Sequence, residues 1–90
     1  MRPSSTPLRN AVYNDNYEAV KLLIDAGAKW DASDDYYFLT QWRRNMNRPP
    51  EYQNKRINTA RGNILALLLS NGVDLSTQDQ EVIRYYLNAV

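Results

Sequence analysis

Residues 6–34 constrain the fold of this chain more than any other stretch, because they read as two short helices joined by a turn. Thr6 is a predicted N-cap, and Pro7 follows at the first helical position, where its missing N–H costs nothing. An apolar stripe at helical spacing comes next, formed by Leu8, Ala11 and Val12. This pattern predicts a first amphipathic helix.

A tight turn and a second helix follow. Asn14, Asp15 and Asn16 tolerate left-handed backbone and can cap the helix that begins after them. The wide apolar face of that helix is formed by Val20, Leu22, Leu23 and Ile24. Gly27 is the residue that can end it with a positive φ at no steric cost. The stretch therefore predicts an antiparallel helical pair followed by a loop.

The order of these residues resembles an ankyrin repeat. The matching positions are Thr6-Pro7-Leu8, Ala11, the run Asn16-x-Glu18-x-Val20-x-Leu22-Leu23, Gly27-Ala28 and Asp34. The chain departs from the family pattern at Arg9, where the family has His, at Asp15, where it has Gly, and at Asp31, where it usually has Asn. The resemblance implies an all-α stack of helix-turn-helix units with projecting loops.

The rest of the chain is interpreted on the same plan, as a single domain over residues 1–90. Unit one covers 5–34, unit two covers 35–76, and a C-terminal half-repeat capping helix covers 77–90. Gly27 and Gly72, the two predicted helix ends, lie 45 residues apart, whereas an ankyrin period is about 33. Unit two is therefore expected to carry an insertion at about 47–58.

Several helix boundaries follow from this alignment. Asp34 or Asp35 is expected to cap the first helix of unit two, and Ser76 or Thr77 the last helix. The second helix of unit two is expected over 59–71, and a helix over 52–69 with Gly62 inside it is the alternative. The predicted core consists of Leu8, Ala11, Val12, Val20, Leu22, Leu23, Leu39, Trp42, Leu65, Leu67, Leu68, Ile83 and Leu87.

The composition excludes several kinds of chemistry. The chain has no cysteine and no histidine, so it has no disulfide, no thiolate or imidazole metal site and no Cys or His catalysis. Its three glycines are isolated and form no phosphate-binding loop. Asp31, Asp34 and Asp35 are interpreted as capping and loop-supporting residues. No enzyme activity, cofactor or metal is expected.

Location and membrane contact follow from the same composition. The longest apolar run, residues 64–69, is too short to span a bilayer. The absence of cysteine fits a reducing cytoplasm, or a host-cell cytoplasm for a pathogen protein. We therefore expect a cytoplasmic protein without membrane contact.

Charge is segregated along the chain, although the net charge is only +1. Residues 43–61 carry +5, and the segments on either side each carry −2. Three interpretations stay open for this basic segment: a solvated face, a site for an acidic protein surface, or a nucleic-acid site on which Tyr52 could stack. A net charge near zero is atypical of a dedicated nucleic-acid binder.

The resemblance also implies where a partner would bind, since ankyrin proteins usually bind through their loops and first helices. The expected partner-binding residues are Arg9, Tyr13, Trp30, Asp35, Tyr36, Arg43, Arg44, Arg48 and Arg56. Tyr36 and Arg43 are favoured because neither is needed for a helical stripe, whereas Arg9 can instead support the first turn. The expected function is a small adaptor or inhibitor, of phage or pathogen origin, that binds another protein. A second copy of the chain and nucleic acid are the other candidate partners.

Overall fold

The computed structural model describes residues 5–30 and 37–90, and within them the chain forms five α-helices and no strand. The helices are α1 (Ser5–Tyr13), α2 (Tyr17–Asp25), α3 (Tyr37–Met46), α4 (Lys55–Ser70) and α5 (Gln80–Leu87). A single 3-10 turn, Pro50–Tyr52, lies between α3 and α4. The all-α prediction is confirmed.

The helices stack in two layers. One layer contains α1, α3 and α5, and the other contains α2 and α4. Helix α2 packs against α4, and α3 packs against α5, while α1 pairs with α2 and α4 pairs with α5. The ring of Tyr13 on α1 meets the ring of Phe38 on α3 edge-on, with centroids 6.2 Å apart. The two layers therefore pack against each other, and neighbouring helices within a layer lie side by side.

The turns that separate the helices follow the local sequence. Asp15 has a φ of 57°, and Asn16 caps α2 by accepting a 3.1 Å hydrogen bond from the amide of Ala19. Gly27 and Gly72 have φ values of 100° and 84°, which residues other than glycine rarely adopt. The predicted turn and the predicted glycine helix ends are confirmed.

Two other predicted helix starts are wrong. Thr6 lies inside α1, which begins at Ser5, so its backbone is helical rather than that of a cap. Helix α4 begins at Lys55 and not at residue 59, because Asn54 caps it by accepting from the amide of Ile57 at 3.1 Å. Residues 55–58, which fall within the expected insertion, are therefore helical, and the alternative helix over 52–69 lies closer to the structure than 59–71 does.

The N-cap of α5 differs from the predicted Ser76 or Thr77, although the helix starts at Gln80 as its apolar pattern predicts. Asp79 is its N-cap. Ser76 is engaged earlier in the connection, because its amide and hydroxyl both donate to the Asp74 carboxylate, at 2.9 and 2.6 Å. The expected caps of α3, Asp34 and Asp35, lie outside the described residues.

Gly62 sits in the middle of α4 because two helices approach closely there. A Cβ at this position would collide with the backbone carbonyl of Tyr86 and with the side chain of Val90. Glycine is unfavourable inside a helix by about 1 kcal/mol relative to alanine. Here it permits the contact between α4 and the end of α5.

The core lies between the two layers and contains most of the predicted residues. Leu23, Leu67 and Leu87 are only half-buried at its edge, and Leu22 is 69% exposed, so its predicted burial is wrong. Leu22 lies away from the buried face of α2, which Val20 occupies. The core residues that the prediction left out are Phe38, Ile64, Leu75, Val82 and Tyr86.

Candidate interaction surface

The expected partner-binding residues that the structure describes differ in how far they are buried. Asp35 and Tyr36 lie outside the described residues. Arg9, Tyr13 and Trp30 are half-buried. The rings of Tyr13 and Trp30 each meet Phe38 edge-on, at centroid distances of 6.2 and 5.6 Å. Packing against Phe38 of α3 therefore fixes both aromatic side chains.

Arg43 has a structural partner that the sequence did not reveal. Its guanidinium donates two hydrogen bonds to the Asp79 carboxylate, at 2.7 and 3.2 Å, and one to Glu81 at 2.6 Å. The Asp79 hydrogen bond, followed by that of Glu81, raises the pKa of Arg43. The hydrogen bond from Arg43 likewise lowers the pKa of Asp79. Arg43 thus joins α3 to the start of α5, a structural role that its position outside the helical stripe did not indicate.

Arg61 belongs to the basic segment in sequence but to the core in space. Its guanidinium donates to both carboxylate oxygens of Asp15, at 2.7 and 3.1 Å, and to the hydroxyl of Tyr86 at 2.9 Å. It also lies 5.2 Å from the ring centre of Trp42 and 5.4 Å from that of Tyr86. Tyr86 in turn donates to the carbonyl of Trp42 at 3.1 Å. One arginine therefore connects α4 with the first turn, α3 and α5.

The electrostatics keep Arg61 charged in this position. Burial alone would lower its pKa, but the hydrogen bond and the charge of Asp15 raise it overall. Burial raises the pKa of Tyr86, so its hydroxyl stays protonated. A sequence signal for this burial was available, since Arg61 shares a helical face with Leu65 and Leu68. The guanidinium of Arg61 is therefore buried among contacts within the fold.

The connection between α3 and α4 is a hydrogen-bonded structure. The amide of Tyr52 donates to the carbonyl of Pro49 at 2.9 Å. The side-chain amide of Gln53 donates to the carbonyls of Asn45 and Arg48, at 2.7 and 3.0 Å. Gln53 therefore fixes the end of α3 against the start of α4.

Four cations and one aromatic side chain point outward around this connection. Arg44, Arg48, Lys55 and Arg56 are exposed, and none forms an ion pair within residues 5–30 and 37–90. Tyr52 is 68% exposed and lines a shallow groove with Arg48 and Pro49. These residues, Arg44, Arg48, Tyr52, Lys55 and Arg56, are called the basic surface below.

The basic surface and Trp30 lie at opposite ends of α3, because the ring of Trp30 meets Phe38 in the first turn of that helix. Residues 31–36 lead into α3, whereas the basic surface begins at its last turn. A helix of ten residues is about 15 Å long. Of the expected residues that the structure describes, Tyr13 and Trp30 therefore lie near the start of α3, and Arg44 and Arg48 lie near its end.

A second groove lies between the C-terminal ends of α2 and α4. Its walls include Ile24, Ala28, Trp30, Leu68 and Val73. It opens beside the positive-φ turns at the ends of the two helices. The end of the stack at which these two helices finish is called the loop end below. In the described part of the chain, no helix is long and apolar enough to cross a membrane.

The first helical pair matches a known family. Residues 5–35 match the family model of the ankyrin repeat. Searches of curated proteins and of solved structures gave no match. The family match covers α1, α2 and the residues that follow them, and α3 to α5 lie outside it. Residues 5–35 are therefore similar to an ankyrin repeat.

Proposed function

We propose that this ankyrin repeat protein acts as a small adaptor or inhibitor that occupies the surface of a partner protein. The observation that carries the proposal is the ankyrin repeat at residues 5–35. Ankyrin repeats generally mediate protein–protein interaction and are typically non-catalytic. We propose the same for this chain, and a cytoplasmic site of action because it has no cysteine.

We also propose that the chain is one domain in which residues 35–76 form a second unit and 77–90 a half-repeat. Two parallels support this division. Asn16 and Asn54 cap α2 and α4 by accepting from the amide three residues later. At the other ends, the amides of Ala28 and Val73 donate to carbonyls five residues earlier, at 2.9 and 3.1 Å.

The partner is proposed to bind the loop end of the stack and the layer formed by α1, α3 and α5. This face would include Arg9, Tyr13, Trp30, Asp35 and Tyr36. Aromatic side chains held by packing suit an interface, because little conformational freedom remains to be lost on binding. The groove between α2 and α4 lies at the same end and could receive a partner side chain. Arg43 would support this face indirectly, because its ion pairs with Asp79 and Glu81 hold α3 against the start of α5.

The test is capture of partners from a nuclease-treated extract of the source cells, with the chain immobilised through a tag. The parent is compared with Tyr36→Ala and with Glu18→Ala, a matched truncation at an exposed position on the other layer. We expect one protein to be retained by the parent and by Glu18→Ala. Tyr36→Ala should weaken its binding by roughly tenfold, as truncation of an interface tyrosine commonly does.

Two results would contradict the proposal. The first is that no protein is retained by the folded parent. The second is that the parent retains a protein from an untreated extract but not from the nuclease-treated one, which would favour the nucleic-acid alternative raised by the arginine-rich segment. Equal retention by all three variants would instead move the binding face away from the loop end.

A further inference from the structure

We propose that the basic surface is a second binding surface, and that it takes an acidic protein segment rich in Asp and Glu. The inference rests on the proposed function only in treating the chain as an interaction protein. The surface lies at the end of α3 opposite the loop end, so a partner could occupy one surface without covering the other.

The first argument is the contrast among the arginines of the same segment. Arg43 and Arg61 are each bound by a carboxylate through two hydrogen bonds. Arg44, Arg48 and Arg56 have no such partner in the described ranges, although the segments on either side carry a net negative charge. The fold thus uses its own carboxylates on two arginines and leaves the others available to an external ligand.

The second argument is that the surface is held in shape before any ligand binds. Gln53 donates one hydrogen bond to the carbonyl of Arg48 and one to that of Asn45, which fixes the backbone there, and the 3-10 turn fixes Tyr52 beside it. The groove between Arg48, Pro49 and Tyr52 offers an aromatic wall next to a guanidinium. That combination suits a peptide, whose carboxylate pairs with arginine while its aliphatic part packs on the ring.

The third argument is the distribution of charge at the start of α4. Lys55 and Arg56 occupy its first turn, which contains no acidic residue. Positive side chains at a helix N-terminus oppose the helix dipole and destabilise the helix. Folding alone would therefore favour Asp or Glu at these positions, and a bound carboxylate would relieve the repulsion.

An acidic protein segment fits this surface better than nucleic acid does. Three of the four cations are arginines, whose planar forks match carboxylates in pairs. Glu51 lies among them and limits the local net charge to +3. The chain as a whole carries only +1, which gives little of the long-range attraction that phosphate backbones require.

The experiment measures the anisotropy of fluorescein-labelled polyglutamate titrated with the full chain. Labelled oligothymidylate is titrated in parallel at about 0.15 M salt. The test variant is Arg48→Gln/Arg56→Gln. The matched control is Lys29→Gln/Arg84→Gln, which removes two exposed positive charges outside the basic surface. Circular dichroism confirms that each variant is folded.

The parent and the control should bind polyglutamate with similar affinity, and the test variant roughly tenfold more weakly, which corresponds to about 1.4 kcal/mol. Tyr36→Ala should bind polyglutamate like the parent, which separates this inference from the proposed function. Equal affinity of test and control variants would overturn the inference, as would no binding by the folded parent. Tighter binding of oligothymidylate than of polyglutamate would assign the surface to nucleic acid instead.

Discussion

Arg61 should be the most stability-critical charged residue among those described. The prediction concerns Arg61→Met, which keeps an unbranched side chain of similar length but removes the charge. The side chain of Arg61 is only 9% exposed, and that of its partner Asp15 is 19% exposed. The substitution would leave the Asp15 carboxylate without its two hydrogen bonds in a place that water reaches poorly.

The size of the effect follows from this burial. Removing one partner of a buried ion pair typically costs about 3–5 kcal/mol. Asp15 keeps some contact with water, so we expect the lower end, about 3 kcal/mol. Small domains are stable by about 0.05–0.15 kcal/mol per residue. The loss would therefore be a large part of the free energy of unfolding.

Urea denaturation followed by circular dichroism gives the measurement. With a denaturant slope of about 1 kcal/mol per molar, the midpoint should fall by roughly 2–3 M. Arg43→Met is the matched control, since Arg43 contacts Asp79 with nearly the same geometry, 2.7 and 3.2 Å, but is more exposed. The control should lose much less stability. Equal losses, or less than about 1 kcal/mol for Arg61→Met, would refute the reasoning.

A double-mutant cycle checks the same contact independently. Asp15→Asn retains a residue that tolerates the positive φ of 57° while removing the charge. The double variant Asp15→Asn/Arg61→Met should lose less stability than the two single losses together, by about 1 kcal/mol or more. Simple additivity would show that the two side chains are not coupled.

Three further predictions concern other contacts. Gly62→Ala should lower the free energy of unfolding by about 1–3 kcal/mol, because its Cβ meets the backbone of Tyr86; an unchanged melting temperature would contradict this. Arg43 lowers the pKa of Asp79 below its ordinary 3.8, so the pair stabilises fully above that pH and loses its effect as pH falls through the folded value. Asp79→Asn, which can still cap α5, should therefore lose less stability on acidification than the parent; identical acid curves would argue against the pair. Lys55→Glu should raise stability by about 0.3–1 kcal/mol by favouring the helix dipole, and a lower urea midpoint would contradict this.

Features encoded within a few residues could be predicted from the sequence. The cap at Asn16 and the helix ends at Gly27 and Gly72 follow from side chains and backbone freedom at those positions. The apolar stripe of α1 and the buried Trp42 follow from helical spacing. These local signals were enough for the all-α architecture.

Features that depend on distant partners could not be predicted in the same way. Arg61 and Asp15 are 46 positions apart, and Arg43 and Asp79 are 36 apart. A basic segment looks uniform in sequence, whereas folding buries one of its arginines and pairs another. The collision that requires glycine at position 62 likewise involves a different helix.

The most direct test of the account is a hydrogen–deuterium exchange footprint of the captured partner on this chain. The account predicts that the partner slows exchange over residues 30–37 and in the first turns of α1 and α3. Exchange over α2, which carries the exposed Glu18 in its first turn and the exposed Leu22 in its middle, should be unchanged. Protection confined to α2 and the outer side of α4, with residues 30–37 unaffected, would contradict binding through the loop end.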